Sequence, residues 1–228
     1  MRYRLGFFAK QWLIASLLLL AGVAGADPGY QEGVQYRLVD NPQRITSGAK
    51  VEVAEFFSYG CHICYDIEPS LESWVKARTD RINFLRVTHG PDFFRRSWGV
   101  YGQSYYALET LGAAEKLNGP LFKAIHQDKE RLDSPARMAD FVAKHGVDKK
   151  AFTAAYDSFA VRTKLKQAQA QWERFGILLL GTPAFVINGK YIVSPGFQQH
   201  VQEKDAKLSE TLKVMDYLIA KESKPATN

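Results

Sequence analysis

The feature that most constrains the fold of this 228-residue chain is a pair of cysteines where a strand meets a helix. Residues 51–75 read VEVAEFFSYGCHICYDIEPSLESWV. The apolar run of residues 51–57 predicts a buried central strand. A Tyr-Gly turn and a helix beginning at Cys61 follow. The two cysteines of the chain, Cys61 and Cys64, are therefore expected one helical turn apart at the start of that helix.

A cysteine pair in this place is suited to thiol–disulfide exchange. The first amide groups of a helix have no acceptor within the helix, and the helix dipole adds partial positive charge there. A thiolate on Cys61 would be stabilised, which lowers its pKa and makes it a nucleophile at neutral pH. A strand that runs into a Cys-X-X-Cys pair therefore predicts a thioredoxin-like redox site.

Three other uses of the cysteine pair fit less well. A structural zinc site needs four ligands, whereas the chain has no third cysteine and its other histidines are scattered. Covalent haem attachment requires a histidine directly after the second cysteine, where this chain has Tyr65. A purely structural disulfide closing so short a loop would remove little entropy from the unfolded chain. The sequence thus predicts a redox dithiol that needs no metal and no other cofactor.

Residues 1–26 have the pattern of a cleavable export signal. Arg2, Arg4 and Lys10 form a basic start, an apolar stretch follows, and Ala24-Gly25-Ala26 supplies the small residues of a cleavage site. The alternative is a membrane anchor. The uncharged stretch has about 16 residues, fewer than the roughly 20 that span a bilayer, so export with cleavage is favoured. Outside the reducing cytosol, disulfides persist.

The charge distribution gives no sign of a nucleic-acid partner. The formal net charge of the whole chain is +6, but three of its cations lie in residues 1–26, so the remaining 202 residues carry +3. Acidic and basic residues alternate along the later segments, a pattern typical of solvated helix faces. The chain without its signal has the length of one compact domain.

Glu55 is the exception within the predicted buried strand. A carboxylate there is costly unless it is paired or protonated. Two interpretations stay open. Glu55 either faces solvent at an edge, since acids are rarely fully buried, or it is a buried acid beneath the dithiol that exchanges protons when the disulfide opens.

The remaining pattern predicts an α/β domain interrupted by helices. Residues 82–87 form the next strand, which with the preceding strand and helix predicts a parallel βαβ unit. An edge strand is predicted over residues 35–39. Two β runs joined by Asn188-Gly189 predict a hairpin, and a final helix over residues 203–220 is expected to cover one sheet face.

Five helices are predicted between the second strand and the hairpin. Their expected ranges are residues 98–117, stopping at Asn118-Gly119-Pro120, then 121–129, a helix capped by Ser134 and ending at Gly146, then 149–156 and 159–175. We therefore expect one α/β domain in two halves, residues 27–90 and 172–228. Residues 91–171 would form an inserted helical subdomain.

In this order the features resemble the DsbA family of thiol:disulfide interchange proteins. The resemblance rests on the export signal, the acid six residues before Cys61, the Cys-X-X-Cys pair, a helical insertion of about 80 residues and Gly-Thr-Pro before an Asn-Gly hairpin. It implies an α/β fold of the thioredoxin type with an inserted helical subdomain. It also implies that Glu55 is a buried acid and that Pro183, facing the dithiol, follows a cis peptide bond.

The resemblance further implies a mechanism and its partners. Cys61 would be the exposed nucleophilic sulfur and Cys64 the deeper resolving thiol, with exchange through a mixed disulfide. His62 can stabilise the thiolate, and the backbone at Thr182 and Pro183 would pair with an extended substrate. The expected partners are reduced exported proteins and a DsbB-type membrane reoxidase in a Gram-negative periplasm. We expect a monomer, because the sequence contains no heptad pattern or dimerisation arm.

Two departures from the family pattern bear on the direction of exchange. The common dipeptide Pro-His is His62-Ile63 here, and Thr182 stands where the best-known oxidase of the family has valine. Threonine at this position resembles the disulfide isomerases of the same compartment, but these rely on a dimerisation domain for which this chain has no room. We therefore expect an oxidase. A disulfide isomerase or reductase is one alternative, and a peptide-binding holdase with an incidental dithiol is another.

Overall fold

The fold is built on one mixed sheet. A computed structural model describes residues 29–40, 42, 50–89 and 96–223, so the predicted export signal lies outside the described residues. Within them, five strands pair in the order β1-β5-β4-β2-β3. The strands are β1 (Arg37–Leu38), β2 (Val51–Phe57), β3 (Ile82–Thr88), β4 (Ala184–Ile187) and β5 (Tyr191–Val193).

The predicted βαβ unit is confirmed. Strand β2 leads into helix α1 (His62–Lys76), and β3 returns parallel to β2 with Val51 opposite Ile82 and Phe57 opposite Thr88. The other pairs, β2 with β4, β4 with β5 and β5 with β1, are antiparallel. Strand β2 is therefore central, and its carboxyl end carries the cysteine pair.

The predicted hairpin is also confirmed. Strands β4 and β5 are joined through Asn188 and Gly189, whose φ angles are 51° and 64°. The N–H of Lys190 donates to the carbonyl of Ile187 at 2.9 Å. Two central residues with positive φ form the type I′ turn that matches the twist of the flanking strands, which explains the Asn-Gly pair.

The described residues between β3 and β4 are mostly helical. The helices are α2 (Arg96–Thr110), α3 (Ala114–His126), α4 (Pro135–Lys144), α5 (Lys149–Tyr156), α6 (Phe159–Arg174) and the short α7 (Ile177–Leu180), and α8 (Lys204–Ser223) follows the hairpin. The side chains of Ser134 and Asp148 accept from the amides of Arg137 and Ala151, as their capping roles predict. The domain boundaries predicted from the sequence stay a prediction. Helix α6 runs across the predicted boundary between residues 171 and 172.

The predicted break at Asn118-Gly119-Pro120 is wrong. Helix α2 ends at Thr110, Gly112 has a φ of +66°, and α3 then runs through Pro120. Proline removes one helical hydrogen bond. Burial outweighs that loss, because Leu117 and Leu121 on the same helix face are 1% and 0% exposed. Most helix stability in proteins comes from such tertiary packing rather than from local propensity.

Two apolar cores lie on opposite faces of the sheet. On one face, Ile67 and Leu71 of α1 pack with Met215 and Leu218 of α8 and Val53 of β2. The second core joins the sheet to helices α2 to α6. Strand β1 is shorter than the predicted edge strand, and α7 has no counterpart among the predictions. In the part of the chain that the structure describes, no helix combines the length and apolar character needed to cross a membrane.

Candidate active site

The two cysteines meet at the first turn of α1. Cys61 is the N-cap residue, and its Sγ accepts the backbone N–H of Cys64 at 3.2 Å. Both cysteines are free thiols. Cys61 is more exposed than Cys64, as predicted, but the prediction that Cys61 is an exposed sulfur is wrong. Cys61 is only 8% exposed and Cys64 is 0% exposed, because the loop before β4 lies against the first cysteine.

That loop contains the proline predicted to face the dithiol. The peptide bond between Thr182 and Pro183 is cis, as the resemblance implies. The Cys61 thiol donates to the Thr182 carbonyl at 3.3 Å. The hydroxyl of Ser194 donates to the Pro183 carbonyl at 3.1 Å, which ties the loop to the segment after β5. The backbone at Thr182 is thus in direct contact with the first sulfur.

The environment separates the acidities of the two thiols. The pKa of Cys61 is lowered from 9.0 to about 7, chiefly because the Cys64 thiol donates to it. Burial opposes this shift, and hydrogen bonds from the side chain of Thr182 and from the amides of Cys64 and Ile63 favour it. Burial raises the pKa of Cys64 well above its ordinary value. Cys61 is therefore the thiol that ionises near neutral pH, while Cys64 keeps its proton.

The lowered pKa of Cys61 makes the stability of the reduced protein depend on pH. Its thiol has a folded pKa of about 7 against 9.0 when unperturbed. Ionisation therefore stabilises the folded dithiol fully above about pH 9, and this contribution is lost as the pH falls through about 7. Two pKa units correspond to roughly 2 to 3 kcal/mol. We expect the free energy of unfolding of the reduced protein, minus that of the oxidised protein, to rise by this amount between about pH 6 and pH 9.

Urea titrations of both redox forms across this pH range measure the effect. Carboxyl groups such as Glu68 titrate in both forms, so the subtraction removes most of their contribution. A difference that stays flat or falls between these pH values would show that the fold does not stabilise the Cys61 thiolate.

His62 lies on the surface beside the dithiol. Its side chain is 66% exposed, and Nε2 lies 3.6 Å from the carboxylate of Asp66 one turn along α1. Lys204 at the start of α8 also contacts that carboxylate, at 3.1 Å. The ring thus has a fixed acidic neighbour on its own helix and belongs to the rim around Cys61.

Glu55 is fully buried, which settles the choice between its two interpretations in favour of a buried acid. Its carboxylate accepts from Nε of Arg86 on β3 at 3.0 Å. The same guanidinium donates to Glu68 of α1 at 2.8 Å and to both oxygens of Glu115 of α3 at 2.9 Å. Asn118 also donates to Glu68. One arginine therefore links three carboxyl groups, of which only Glu115 reaches solvent.

The charges in this cluster do not balance. Burial raises the pKa of Glu55 although Arg86 lowers it, and burial together with Glu55 raises the pKa of Glu68 to about 8. One oxygen of each carboxyl group, Oε1 of Glu55 and Oε2 of Glu68, is buried without a hydrogen-bond partner. A pair of buried carboxyls that shares one cation favours retention of a proton. The cluster can therefore hold and give up a proton beneath the dithiol.

An open cleft leads to Cys61. It is lined by the start of α1, by α2 and α3 and by Thr182, with a volume of about 550 Å³. Its lining includes His62, Ile63, Trp98, Tyr101, Ile125 and His126. A substrate that enters the cleft can reach Sγ of Cys61, and on the way it passes apolar side chains and two imidazole rings.

Gly60, directly before the dithiol, leaves room for the indole of Trp98. A Cβ at this position would lie closer to the indole than real Cβ contacts do. We expect Gly60→Ala to destabilise the protein by about 1 to 3 kcal/mol, because an overpacked contact forces the ring or the loop to move. Gly119→Ala is the control, since nothing lies within 4 Å of its added Cβ in the interior of α3.

Thermal unfolding distinguishes the two alanine substitutions. The control should gain about 0.5 to 1 kcal/mol, as alanine favours a helix interior over glycine. Equal stability of Gly60→Ala and the native protein would show that Trp98 does not pack tightly on this loop.

Comparison with known proteins points to one family. The family description "DSBA-like thioredoxin domain" matches residues 100–205. "Thiol:disulfide interchange protein DsbA" of Burkholderia cepacia is 38% identical over 209 residues, covering 91% of this chain and 93% of that protein. The protein of the same name from Pseudomonas aeruginosa is 33% identical over 216 residues, covering 93% and 97%. The chain belongs to the DsbA family of thiol:disulfide interchange proteins.

Solved structures of the DsbA family share the fold. The crystal structure of Pseudomonas aeruginosa DsbA matches with a TM-score of 0.74 at 34% identity, covering 85% of this chain and 94% of that one. The oxidoreductase DsbA from Xylella fastidiosa matches with a TM-score of 0.71 at 27% identity, covering 85% and 97%. The predicted fold class is confirmed, and the protein is a thiol:disulfide oxidoreductase.

The structure adds residues to the DsbA-type site that the sequence reasoning missed. Glu68 could have been found, because it lies four residues after Cys64 and hence on the same face of α1. Arg86 lies in an otherwise apolar strand, where a buried cation requires an anionic partner. Its position in the sequence could therefore have indicated the charged cluster. Glu115 and His126 come from α3, and nothing in their local sequence indicates that they reach the site.

Proposed function

We propose that this protein introduces disulfides into reduced exported proteins. The observation that carries the proposal is the position of Cys61, which is the N-cap of α1, accepts the N–H of Cys64 and has a pKa of about 7. A stabilised thiolate favours the reduced enzyme, which makes its disulfide more oxidising than that of a dithiol with ordinary pKa values. The direction of exchange then runs from enzyme disulfide to substrate dithiol.

The reaction has two exchange steps. A substrate thiolate attacks Sγ of Cys61 in the oxidised enzyme, and the Cys61–Cys64 bond breaks with its electron pair on Cys64. The buried Cys64 takes a proton, for which the carboxyl of Glu55 is the donor we propose. A second substrate thiolate then attacks the substrate sulfur of the mixed disulfide. Cys61 leaves as a thiolate, and its lowered pKa makes it a good leaving group.

The loop at Thr182 and Pro183 is the proposed substrate platform. An extended substrate segment would pair with this backbone by main-chain hydrogen bonds, which tolerates many side-chain sequences. The substrates proposed are reduced exported proteins in a Gram-negative periplasm, reached after removal of residues 1–26, and a DsbB-type membrane protein would restore the disulfide. The mass of the secreted chain tests the cleavage site.

A disulfide isomerase or reductase is the second candidate. It is favoured by Thr182, which lines the cleft beside Cys61, and by the dipeptide His62-Ile63. An isomerase needs a dithiol that remains reduced while it attacks scrambled disulfides. The two candidates therefore differ in which redox form is the working one.

The redox form of the dithiol during turnover separates an oxidase from an isomerase, and the reduction potential separates an oxidase from a reductase. Equilibration of the Cys61–Cys64 pair with glutathione should give a value near about −120 mV, the range of strong periplasmic oxidases. A value near about −270 mV, the thioredoxin range, would contradict the oxidase function. Thr182→Val is the companion variant, because it removes the hydroxyl that favours the thiolate and should lower the potential.

A further inference from the structure

A second histidine lies beside the dithiol and has no role in the exchange steps above. His126 is the last residue of α3, and its Nε2 lies 2.7 Å from the carbonyl oxygen of Tyr59 in the loop before Cys61. Its ring stacks on Tyr65 of α1, with centroids 5.0 Å apart and an interplanar angle of 13°. The ring centroid of His62 lies 5.5 Å away. His126 and Cys61 line the same cleft.

The bond to Tyr59 fixes the tautomer of His126. A carbonyl oxygen only accepts, so Nε2 must carry the hydrogen. The neutral ring then carries its lone pair on Nδ1. The stack on Tyr65 holds the ring plane. A backbone carbonyl that orients an imidazole in this way plays the part of the orienting group in a nucleophile–base arrangement.

His126 is neutral near pH 7. Burial lowers its pKa below 6.5, and the neighbouring His62 and Lys129 side chains act in the same direction. The bond to the Tyr59 carbonyl and the carboxylate of Asp66 oppose the shift without reversing it. The ring can therefore accept a proton in the range where the enzyme works.

We propose that His126 is a general base that takes the proton of the incoming substrate thiol. The proposal rests on the oxidase function above. The S–H proton moves to Nδ1 of His126, and the electron pair left on the substrate sulfur forms the bond to Sγ of Cys61. The Cys61–Cys64 bond breaks, and its pair goes to Sγ of Cys64. The imidazolium then returns its proton to the water of the cleft.

The acidity of the substrate thiol limits how much a general base can accelerate its attack on Cys61. An unperturbed cysteine thiol has a pKa of about 8.5, so about 3% is ionised at pH 7 without any catalyst. A general base can therefore accelerate the attack by at most roughly 30-fold at this pH. We expect about a 10-fold contribution, which disappears when the substrate thiol is already ionised.

The test measures the rate at which thiols reduce the oxidised protein, by stopped flow, for the native chain and His126→Gln. Glutamine can still donate an N–H to the Tyr59 carbonyl but has no basic nitrogen. The matched control is His145→Gln, because Nδ1 of His145 lies 2.9 Å from the Phe141 carbonyl and its ring packs on Phe141, outside the cleft. The two thiols are a peptide with one ordinary cysteine and thiophenol, which is ionised at neutral pH.

His126→Gln should reduce the rate about 10-fold with the cysteine peptide at pH 7, and the loss should vanish above the thiol pKa of about 8.5. With thiophenol the rate should not change, and His145→Gln should match the native protein throughout. An equal loss with both thiols and at every pH would mean that His126 only positions the loop, and no loss would mean that it has no part in the step. Either result overturns the proposal.

Two further measurements distinguish a failure of the proposed role of His126 from a failure of the proposed oxidase function. The reduction potential and the alkylation profile of Cys61 should be unchanged in His126→Gln, and a shift in either would also contradict the role of a base acting on the substrate. If the native protein itself fails to oxidise dithiol substrates, the proposed function fails. If the native protein oxidises them and the variant does so equally well, only the role of His126 fails.

Discussion

Cys61→Ser will lose all activity in the oxidative folding of a reduced protein, down to the uncatalysed rate. A serine cannot form the disulfide that the enzyme donates, and Cys61 is the sulfur that lies against the Thr182 carbonyl in the cleft. Regain of activity in a reduced protein whose native form has several disulfides, followed with excess oxidised enzyme as the oxidant, measures the loss. Oxidative folding at the native rate by Cys61→Ser would contradict the assignment of Cys61 as the working thiol.

Cys64→Ser is the companion to this experiment. The variant keeps the attacking thiol but lacks the resolving thiol, which is 0% exposed. When its Cys61 thiolate attacks a disulfide of an oxidised substrate protein, one substrate sulfur leaves as a thiol and a mixed disulfide with Cys61 forms. Without Cys64 this mixed disulfide should accumulate and be visible on non-reducing gels. A holdase with an incidental dithiol would behave differently, because suppression of substrate aggregation would survive replacement of both cysteines.

Arg86→Leu will destabilise the protein by about 3 to 5 kcal/mol at neutral pH. Removing one partner of a buried ion pair leaves an uncompensated buried charge, which is far more costly than the pair is worth. Arg86 is the partner of both Glu55 and Glu68, and its side chain is 4% exposed. Urea unfolding measures the loss.

The pH dependence of Arg86→Leu identifies the cause. Burial raises the pKa of both carboxyls even with Arg86 present, and loss of the cation raises it further. An acid whose folded pKa exceeds its unfolded value destabilises the fold as the pH rises, so the cost should shrink from about pH 8 to pH 5. Arg131→Leu is the control, since its side chain is 76% exposed beside Asp133 and such surface pairs are worth about 1 kcal/mol or less. An equal cost in both variants would contradict the charge-burial argument.

Much of the architecture could be predicted from local sequence. Some features depend only on residues close together in the chain: the apolar run of β2, the Asn188-Gly189 turn and the caps Ser134 and Asp148. A short stretch of sequence is therefore enough to predict each of them. The cysteine spacing likewise determines that Cys61 and Cys64 share the first turn of a helix. The prediction of a thiolate stabilised by helix amides followed from this spacing, and the bond from the Cys64 N–H to Cys61 agrees with it.

The tertiary structure decided what depends on contacts between distant segments. Helix α3 continues through Pro120 because its apolar face is buried against other elements, a gain that no local rule contains. The state of Glu55 was open in the sequence, since its partner Arg86 lies 31 residues away and the parallel register of β2 and β3 sets the two side by side. His126 lines the cleft beside Cys61 only because α3 packs against α1. The sequence by itself determined the redox pair and its chemistry. The packing of helices against the sheet decided which charges and which imidazole surround that pair, because electrostatic and hydrogen-bonded partners are chosen by distance in space rather than along the chain.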